Sequence, residues 1–212
     1  MLLIGVGLVA VLMIGVIALL VRDDDGPVRT AHPTATPSEG DVSPSVAPAF
    51  QFTKSTKELV RTSSGPINER HREASERAAT AARSILTDLY TEGFLDPANW
   101  EQGRYTDAFR GFAVGARQQA EARSGLLTAG AQAGDRYDWI LAVSGRIATR
   151  ILLDRAGNPT LVVSVVRFSA AALGAEPLTL RSSGQFFFER IDGSWKIVSF
   201  HVTRADAPRE GT

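Results

Sequence analysis

The spacing of hydrophobic positions changes along the chain, and each change marks a different kind of segment. Residues 2–21 are almost entirely apolar, whereas residues 23–65 are polar and rich in Pro, Ser and Thr. From Glu69 onward apolar residues recur every three or four positions, which predicts amphipathic helices. After Gly134 the spacing becomes two, which predicts β-strands. A helical half followed by a sheet half is therefore expected.

The apolar run at the N-terminus has the length of a transmembrane helix. Twenty helical residues span about 30 Å, which is the thickness of the hydrocarbon core. The run ends abruptly at the charged segment 22–25. A cleaved signal peptide is the alternative, but residues 17–21 offer no good small-residue cleavage site. We expect residues 1–22 to form an uncleaved anchor, with residues 2–21 in the lipid bilayer.

The charges beside the apolar run do not settle its orientation. Arg22 and Arg29 follow the run and only the α-amino group precedes it, so the positive-inside rule does not favour an external C-terminus. Residues 23–65, in contrast, have the composition of an exported stalk: too few apolar residues to fold, and prolines that keep a disordered linker extended. We expect a single-pass protein of the cell membrane whose C-terminal domain is extracytoplasmic.

The helical half is predicted to contain one long helix and several short ones. Asn68 can cap the first helix, which we expect to run from Glu69 to about Phe94 and to end before Asp96-Pro97. A second helical stretch is predicted to be divided by glycines. Its apolar face consists of Tyr105, Phe109, Phe112 and Ala116.

The sheet half is predicted to contain antiparallel strands at residues 139–154, 160–171, 178–190 and 194–204. The dipeptide Asp192-Gly193 predicts a tight hairpin between the last two strands. Helices that precede such a sheet indicate an α+β domain with the helices packed on one face. We assign this domain to residues 66–205 and a flexible tail to residues 206–212. If Phe50 and Phe52 pack against it, the domain begins near residue 50.

Several segments of the domain resemble one known superfamily. They are the long first helix, the segment from Leu89-Tyr90 to Phe94, and the closing hairpin from Phe186 to Val198, with its aromatic strand, Asp-Gly turn and Trp-Lys-Ile strand. These features resemble the NTF2-like superfamily of cone-shaped domains, also called SnoaL-like or ketosteroid-isomerase-like. With one N-terminal span and a Pro/Thr stalk, the layout is also similar to actinobacterial Mce-associated membrane proteins and to VirB8- and TcpC-type conjugation components. The resemblance implies a cone closed by a curved antiparallel sheet, and it does not specify a function.

Composition narrows the possible functions by exclusion. Lys+Arg and Asp+Glu both number 23, so the formal net charge is zero and a nucleic-acid partner is not expected. The chain has no cysteine, which excludes disulfides, thiolate metal sites and cysteine nucleophiles. Phosphate loops, metal-ligand spacings and nucleophile elbows are absent from the sequence, so we expect neither a metal nor another cofactor. The preference for arginine over lysine is typical of a GC-rich genome, such as that of an actinobacterium.

Candidate ligand-binding residues of the cone are Tyr105, Asp138, Arg146, Arg167 and His201. An isomerase or dehydratase of this fold would need an Asp, or an Asp–His pair, as general acid and base. Asp138 and Tyr105 begin predicted elements and could meet at a cone mouth. Arg146 and Arg167 would form an anion site if they clustered, and the alternative is an exposed sheet face dotted with arginines. We assign no catalytic residue.

The leading hypothesis is a non-enzymatic, membrane-tethered interaction or assembly domain of the cell envelope, part of a transport, secretion or conjugation complex. The sheet face is the expected contact surface for protein partners or for a homo-oligomer. The alternative is a small-molecule-binding module, or an isomerase- or dehydratase-like enzyme, that uses the cone cavity. A cavity filled by Phe186, Phe188 and Ile197 favours the first, and an open pocket lined by His201, Asp138 and an arginine favours the second.

Overall fold

The computed structural model describes residues 50–52, 54–61, 66–175 and 177–209 of the 212-residue chain. The predicted membrane anchor and most of the predicted stalk lie outside the described residues. Within the described part, no helix is long and apolar enough to cross a membrane.

The described residues form an α+β domain in which helices cover one face of a five-stranded sheet. Strand β1 (Lys54–Arg61) comes first, followed by the long helix α1 (Glu69–Tyr90) and a π-helical turn (Thr91–Leu95). Short helical segments come next: α2 (Pro97–Trp100), a 3-10 turn (Asp107–Phe109), α3 (Val114–Ala122), α4 (Ser124–Leu127) and α5 (Ala133–Arg136). The remaining strands are β2 (Tyr137–Leu153), β3 (Pro159–Gly174), β4 (Leu178–Ile191) and β5 (Ser194–Pro208).

Helix α1 begins directly after Asn68, the capping residue that the sequence predicted. The side chain of Asn68 accepts a hydrogen bond from the backbone N–H of His71 at 3.0 Å, and His71 Nδ1 accepts one from the N–H of Asn68. This reciprocal capping box satisfies donors that the first turn leaves unpaired. The helix buries Ala78, Ala82 and Leu86 against the sheet, and the two small alanines let the two layers approach closely.

The sheet is mixed rather than purely antiparallel. Strands β2 to β5 form the predicted antiparallel meander, and β1 adds to its edge in parallel with β2, from Lys54 opposite Arg146 to Arg61 opposite Leu153. An ion pair between Lys57 and Glu76 links β1 to α1. Assigning residues 54–61 to a disordered stalk is therefore wrong, because this polar segment gains its order from a strand far away in the sequence.

The phenylalanines that precede β1 belong to the core. Phe50 and Phe52 are buried and meet edge to face, with ring centroids 5.0 Å apart. Phe50 also contacts Phe168 at 5.4 Å, and Phe52 contacts Tyr90 at 5.9 Å. The domain therefore starts at or before residue 50 rather than at residue 66.

The C-terminal boundary also differs from the prediction. Strand β5 continues beyond residue 205, with Asp206 paired opposite Leu180 and Pro208 opposite Leu178. A flexible tail from residue 206 is therefore wrong for residues 206–208. The extra pairs form because β4 begins early enough to offer partners to the end of β5.

The space between the sheet and the helices is filled with aromatic and aliphatic side chains. Tyr90 lies at its centre, stacked on Phe94 with a centroid distance of 5.6 Å. The hydroxyl groups of Tyr90 and Ser182 form a buried hydrogen bond of 3.0 Å, and burial raises the pKa of Tyr90. Other fully buried residues of this core are Leu86, Leu89, Phe186, Phe188 and Ile197.

Candidate functional site

His201 lies on the outer face of the sheet and not in the interior. Phe187 pairs with Ser199 and Phe188 pairs with Ile197, so Val198 is an extra residue in β5. This bulge reverses the alternation that places Ile197 inside, and His201 becomes exposed opposite Gln185. His201, a candidate ligand residue of the cone, therefore does not line the interior of the domain.

Arg146 and Arg167 lie directly opposite each other on β2 and β3, and both are exposed on the outer face. The structure therefore brings these two candidates together. Arg150, four residues further along β2, makes two hydrogen bonds to Glu58 at 2.9 and 3.1 Å.

An apolar patch lies beside these arginines on β2. Trp139, Leu141 and Val143 are 64%, 52% and 66% exposed, and we call them the outer patch. Register with β1 begins only at Arg146, so the described residues place no strand beside this part of β2. Three large apolar side chains are thus exposed on this part of β2, which is typical of an interaction surface.

Asp138 and Tyr105 lie in different environments, one exposed and the other buried. The register between β2 and β3 shifts between Tyr137 and Trp139, and Asp138 is exposed there. Tyr105 is buried, and its hydroxyl donates a 2.7 Å hydrogen bond to the carbonyl of Gly130. Burial raises the pKa of Tyr105 to about 12. The Tyr105 hydroxyl therefore stays protonated and holds the loop at Gly130. A group in this state does not act as a general base.

An open cavity of about 580 Å³ lies beside Gly130, between the segment that joins α4 to α5 and the end of β5. Arg204 lies in its wall and donates to the carbonyls of Gly125 and Thr128, and it also pairs with Asp206 at 2.8 Å. Most of its donors are therefore used in holding this loop against β5. The adjacent carboxylate compensates its charge, so the cavity does not favour a multiply charged anion.

One polar group near this cavity is unsatisfied. The hydroxyl of Tyr137 is buried and has no hydrogen-bond partner among the described residues. The guanidinium of Arg136, which lines the cavity, lies 5.4 Å from the centre of the Tyr137 ring. A buried hydroxyl without a partner costs free energy, and a polar ligand atom or a water would satisfy it.

The five predicted ligand residues therefore do not form one site. Arg146 and Arg167 adjoin each other, His201 is exposed on β5, Asp138 is exposed at the start of β2, and Tyr105 is buried near Gly130. Sequence reasoning missed Arg136, Arg204 and Asp206, which line this cavity. Among the described residues, no group of three or more His, Asp or Glu side chains could hold a metal ion.

No family model matches the chain, and no curated protein or solved structure matches it. The resemblance to the NTF2-like superfamily thus stays a prediction, and the geometry of the described residues carries the functional proposal.

Proposed function

We propose that this chain is a membrane-tethered, NTF2-like interaction domain of the cell envelope that works without catalysis. It binds a protein partner through the outer face of its sheet, as part of a transport, secretion or conjugation complex. The observation that carries this proposal is the exposure of Trp139, Leu141 and Val143 on an edge with no strand beside it among the described residues.

The interior of the domain supports the same proposal. Phe186, Phe188 and Ile197 are fully buried and fill the space that a cone-cavity enzyme would need for its substrate. His201 and Asp138, the candidate acid and base, are exposed, and they line neither the cavity beside Gly130 nor the cavity between α1 and the β4–β5 turn. The contact surface that we favour is therefore the outer face of the sheet.

The chemistry of the surface defines the partner. Fully burying a large apolar side chain contributes about 1.5–3 kcal/mol, so the outer patch can supply the apolar centre of an interface. Trp and Arg are the residues most often found to dominate binding energies. Arg146 adjoins the patch and favours an acidic rim on the partner. The partner is thus expected to present an apolar segment flanked by Asp or Glu.

A comparison of two charge-introducing variants tests the proposal. Trp139→Asp places a carboxylate in the outer patch, and Val114→Asp does the same on α3, where Val114 is 79% exposed but lies outside the patch. The tagged full-length chain is purified from membranes and the co-purifying proteins are quantified. We expect Trp139→Asp to lose a partner that Val114→Asp keeps. Equal recovery with both variants would refute the outer patch as the contact surface.

The predicted orientation needs a separate test. A reporter that is active only outside the cytoplasm is fused after residue 212. Activity is expected if the domain is extracytoplasmic, whereas activity of a cytoplasm-specific reporter at the same position would refute this location.

A further inference from the structure

A second, more enclosed cavity of about 400 Å³ lies at the end of the sheet that carries the β2–β3 and β4–β5 turns. The first turns of α1 form one of its walls, with Arg70, His71 and Arg77. The β4–β5 hairpin forms another, with Arg190 and Trp195. We call this cavity the arginine groove.

The groove concentrates positive charge. Its described lining carries three arginines and no aspartate or glutamate. Arg77 lies 3.9 Å from Glu73, but both side chains are more than half exposed, so solvent screens this pair strongly. The chain as a whole has no net charge, so the groove is a local departure from a balanced surface.

Two of the groove side chains are held in place by the backbone around them. Arg190 donates from Nε to the carbonyl of Gly193 at 2.9 Å, which fixes its guanidinium beside the turn and leaves its terminal N–H groups for other acceptors. His71 is held by the capping box of α1, and its ring packs on Gly157, where φ is +82° and no Cβ blocks the contact. The positive end of the dipole of α1 lies at the same place and also favours an anion.

We propose that the arginine groove binds a phosphorylated small molecule. Arg70, Arg77 and Arg190 hold the phosphoryl group, because the planar guanidinium fork matches the spacing of phosphate oxygens. The organic part of the ligand lies against Trp195, whose aromatic ring forms the apolar wall. The volume is within the range of small-ligand sites and accommodates a phosphoryl group with one ring.

The proposal makes the groove independent of the outer patch. The groove residues belong to α1 and the β4–β5 hairpin, whereas the outer patch belongs to β2. A domain that docks a partner through one surface can thus bind a phosphorylated ligand at another. If one of the two proposals is refuted, the other is not affected.

Isothermal titration calorimetry of the full-length chain in detergent, at about 0.15 M salt to screen non-specific charge effects, tests this site. The probes are inorganic phosphate, phenyl phosphate and phenol. We expect saturable 1:1 binding of both phosphates, with phenyl phosphate the tighter ligand. Arg70→Gln and Arg190→Gln should each weaken phosphate binding about tenfold or more, as expected for a lost hydrogen bond between charged groups.

Arg72→Gln is the matched control. Arg72 lies two residues from Arg70 on the same helix, pairs with Glu69 at 3.3 Å and does not line the groove. This variant should bind both phosphates as the wild type does. Trp195→Leu should remove the advantage of phenyl phosphate over inorganic phosphate, with circular dichroism checking that the variant is folded.

Three results would overturn the proposal. They are the absence of saturable phosphate binding, equal weakening by Arg72→Gln and Arg70→Gln, and binding of an Asp/Glu-rich peptide in place of either phosphate. Trp139→Asp should leave phosphate binding unchanged, and this separates the groove from the proposed partner surface.

Discussion

Gly145 and Phe50 provide a test of whether the segment before β1 is part of the folded core. A Cβ at Gly145 would lie 2.5 Å from Cζ of Phe50 and 3.1 Å from Cδ1 of Phe52. Side chains do not tolerate such short contacts, so Gly145→Ala must displace the phenylalanines or bend β2. Overpacking of this kind costs about 1–3 kcal/mol, and we expect a loss of about 2 kcal/mol in the free energy of unfolding.

The effect of Gly145→Ala should depend on Phe50. Phe→Ala in a core costs about 3–5 kcal/mol, and because Phe50 is 8% exposed at the beginning of the described domain we expect about 3 kcal/mol. In the double variant the new methyl group occupies part of the space that the ring vacated. The combined loss should therefore be about 3 kcal/mol rather than the sum of about 5, which is a coupling of about 2 kcal/mol.

Urea unfolding of the four proteins, followed by circular dichroism, measures this cycle. Gly115→Ala is the control, because a Cβ at Gly115 would meet no atom within 4 Å, and its free energy of unfolding should change by less than about 1 kcal/mol. Losses that add within about 0.5 kcal/mol, or a neutral Gly145→Ala, would refute the packing of Phe50 on β2.

Three further predictions concern the core and the loop beside the cavity. Tyr90→Phe should lower the free energy of unfolding by about 1–2 kcal/mol in urea, because Ser182 loses its buried partner, and the double variant with Ser182→Ala should recover most of the loss. Since the folded pKa of Tyr105 is raised from 10.0 to about 12, its contribution to stability is complete below pH 10 and is lost as the pH rises through 12. Tyr105→Phe should therefore flatten the fall in melting temperature over this interval, and an unchanged slope would contradict the assignment. Arg204→Met should speed hydrogen exchange in residues 125–130 roughly tenfold, because two carbonyls there lose their donor, and unchanged exchange would show that other contacts hold this loop.

Features with local causes were predictable from the sequence. The start of α1 depends on Asn68 and on the periodicity that follows it, and the β4–β5 turn depends on Asp192-Gly193, where Asp192 has φ of +49° and Gly193 of +80°. Strand β1 was not predictable in the same way. Its segment Lys54–Arg61 has few apolar residues, and its order depends on a parallel partner that the local sequence does not reveal.

In the candidate surfaces, too, features with local causes were predictable and features that depend on distant residues were not. The exposure of Arg146 and Arg167 follows from strand alternation, and their pairing was expected only conditionally because it requires the register of β2 on β3. The exposure of His201 depends on the β-bulge at Val198. No pattern in the sequence predicts this extra residue. Arg204 acts through backbone carbonyls of a distant loop, and residue types alone do not predict such bonds.

The parallel position of β1 has a consequence for the order of folding. Glu58 and Arg150 are 92 residues apart, and pairing them first would close a loop at an entropic cost of roughly 4 kcal/mol plus a constant. Once α1 has packed on the sheet, only the loop of residues 62–68 has to close, and the entropic cost is then roughly 2 kcal/mol. We therefore expect β1 to join the sheet last and, in reverse, to detach first. Such local opening would release residues 50–61 while the remaining strands keep their pairing. The connection between the domain and its predicted tether could then lengthen without global unfolding.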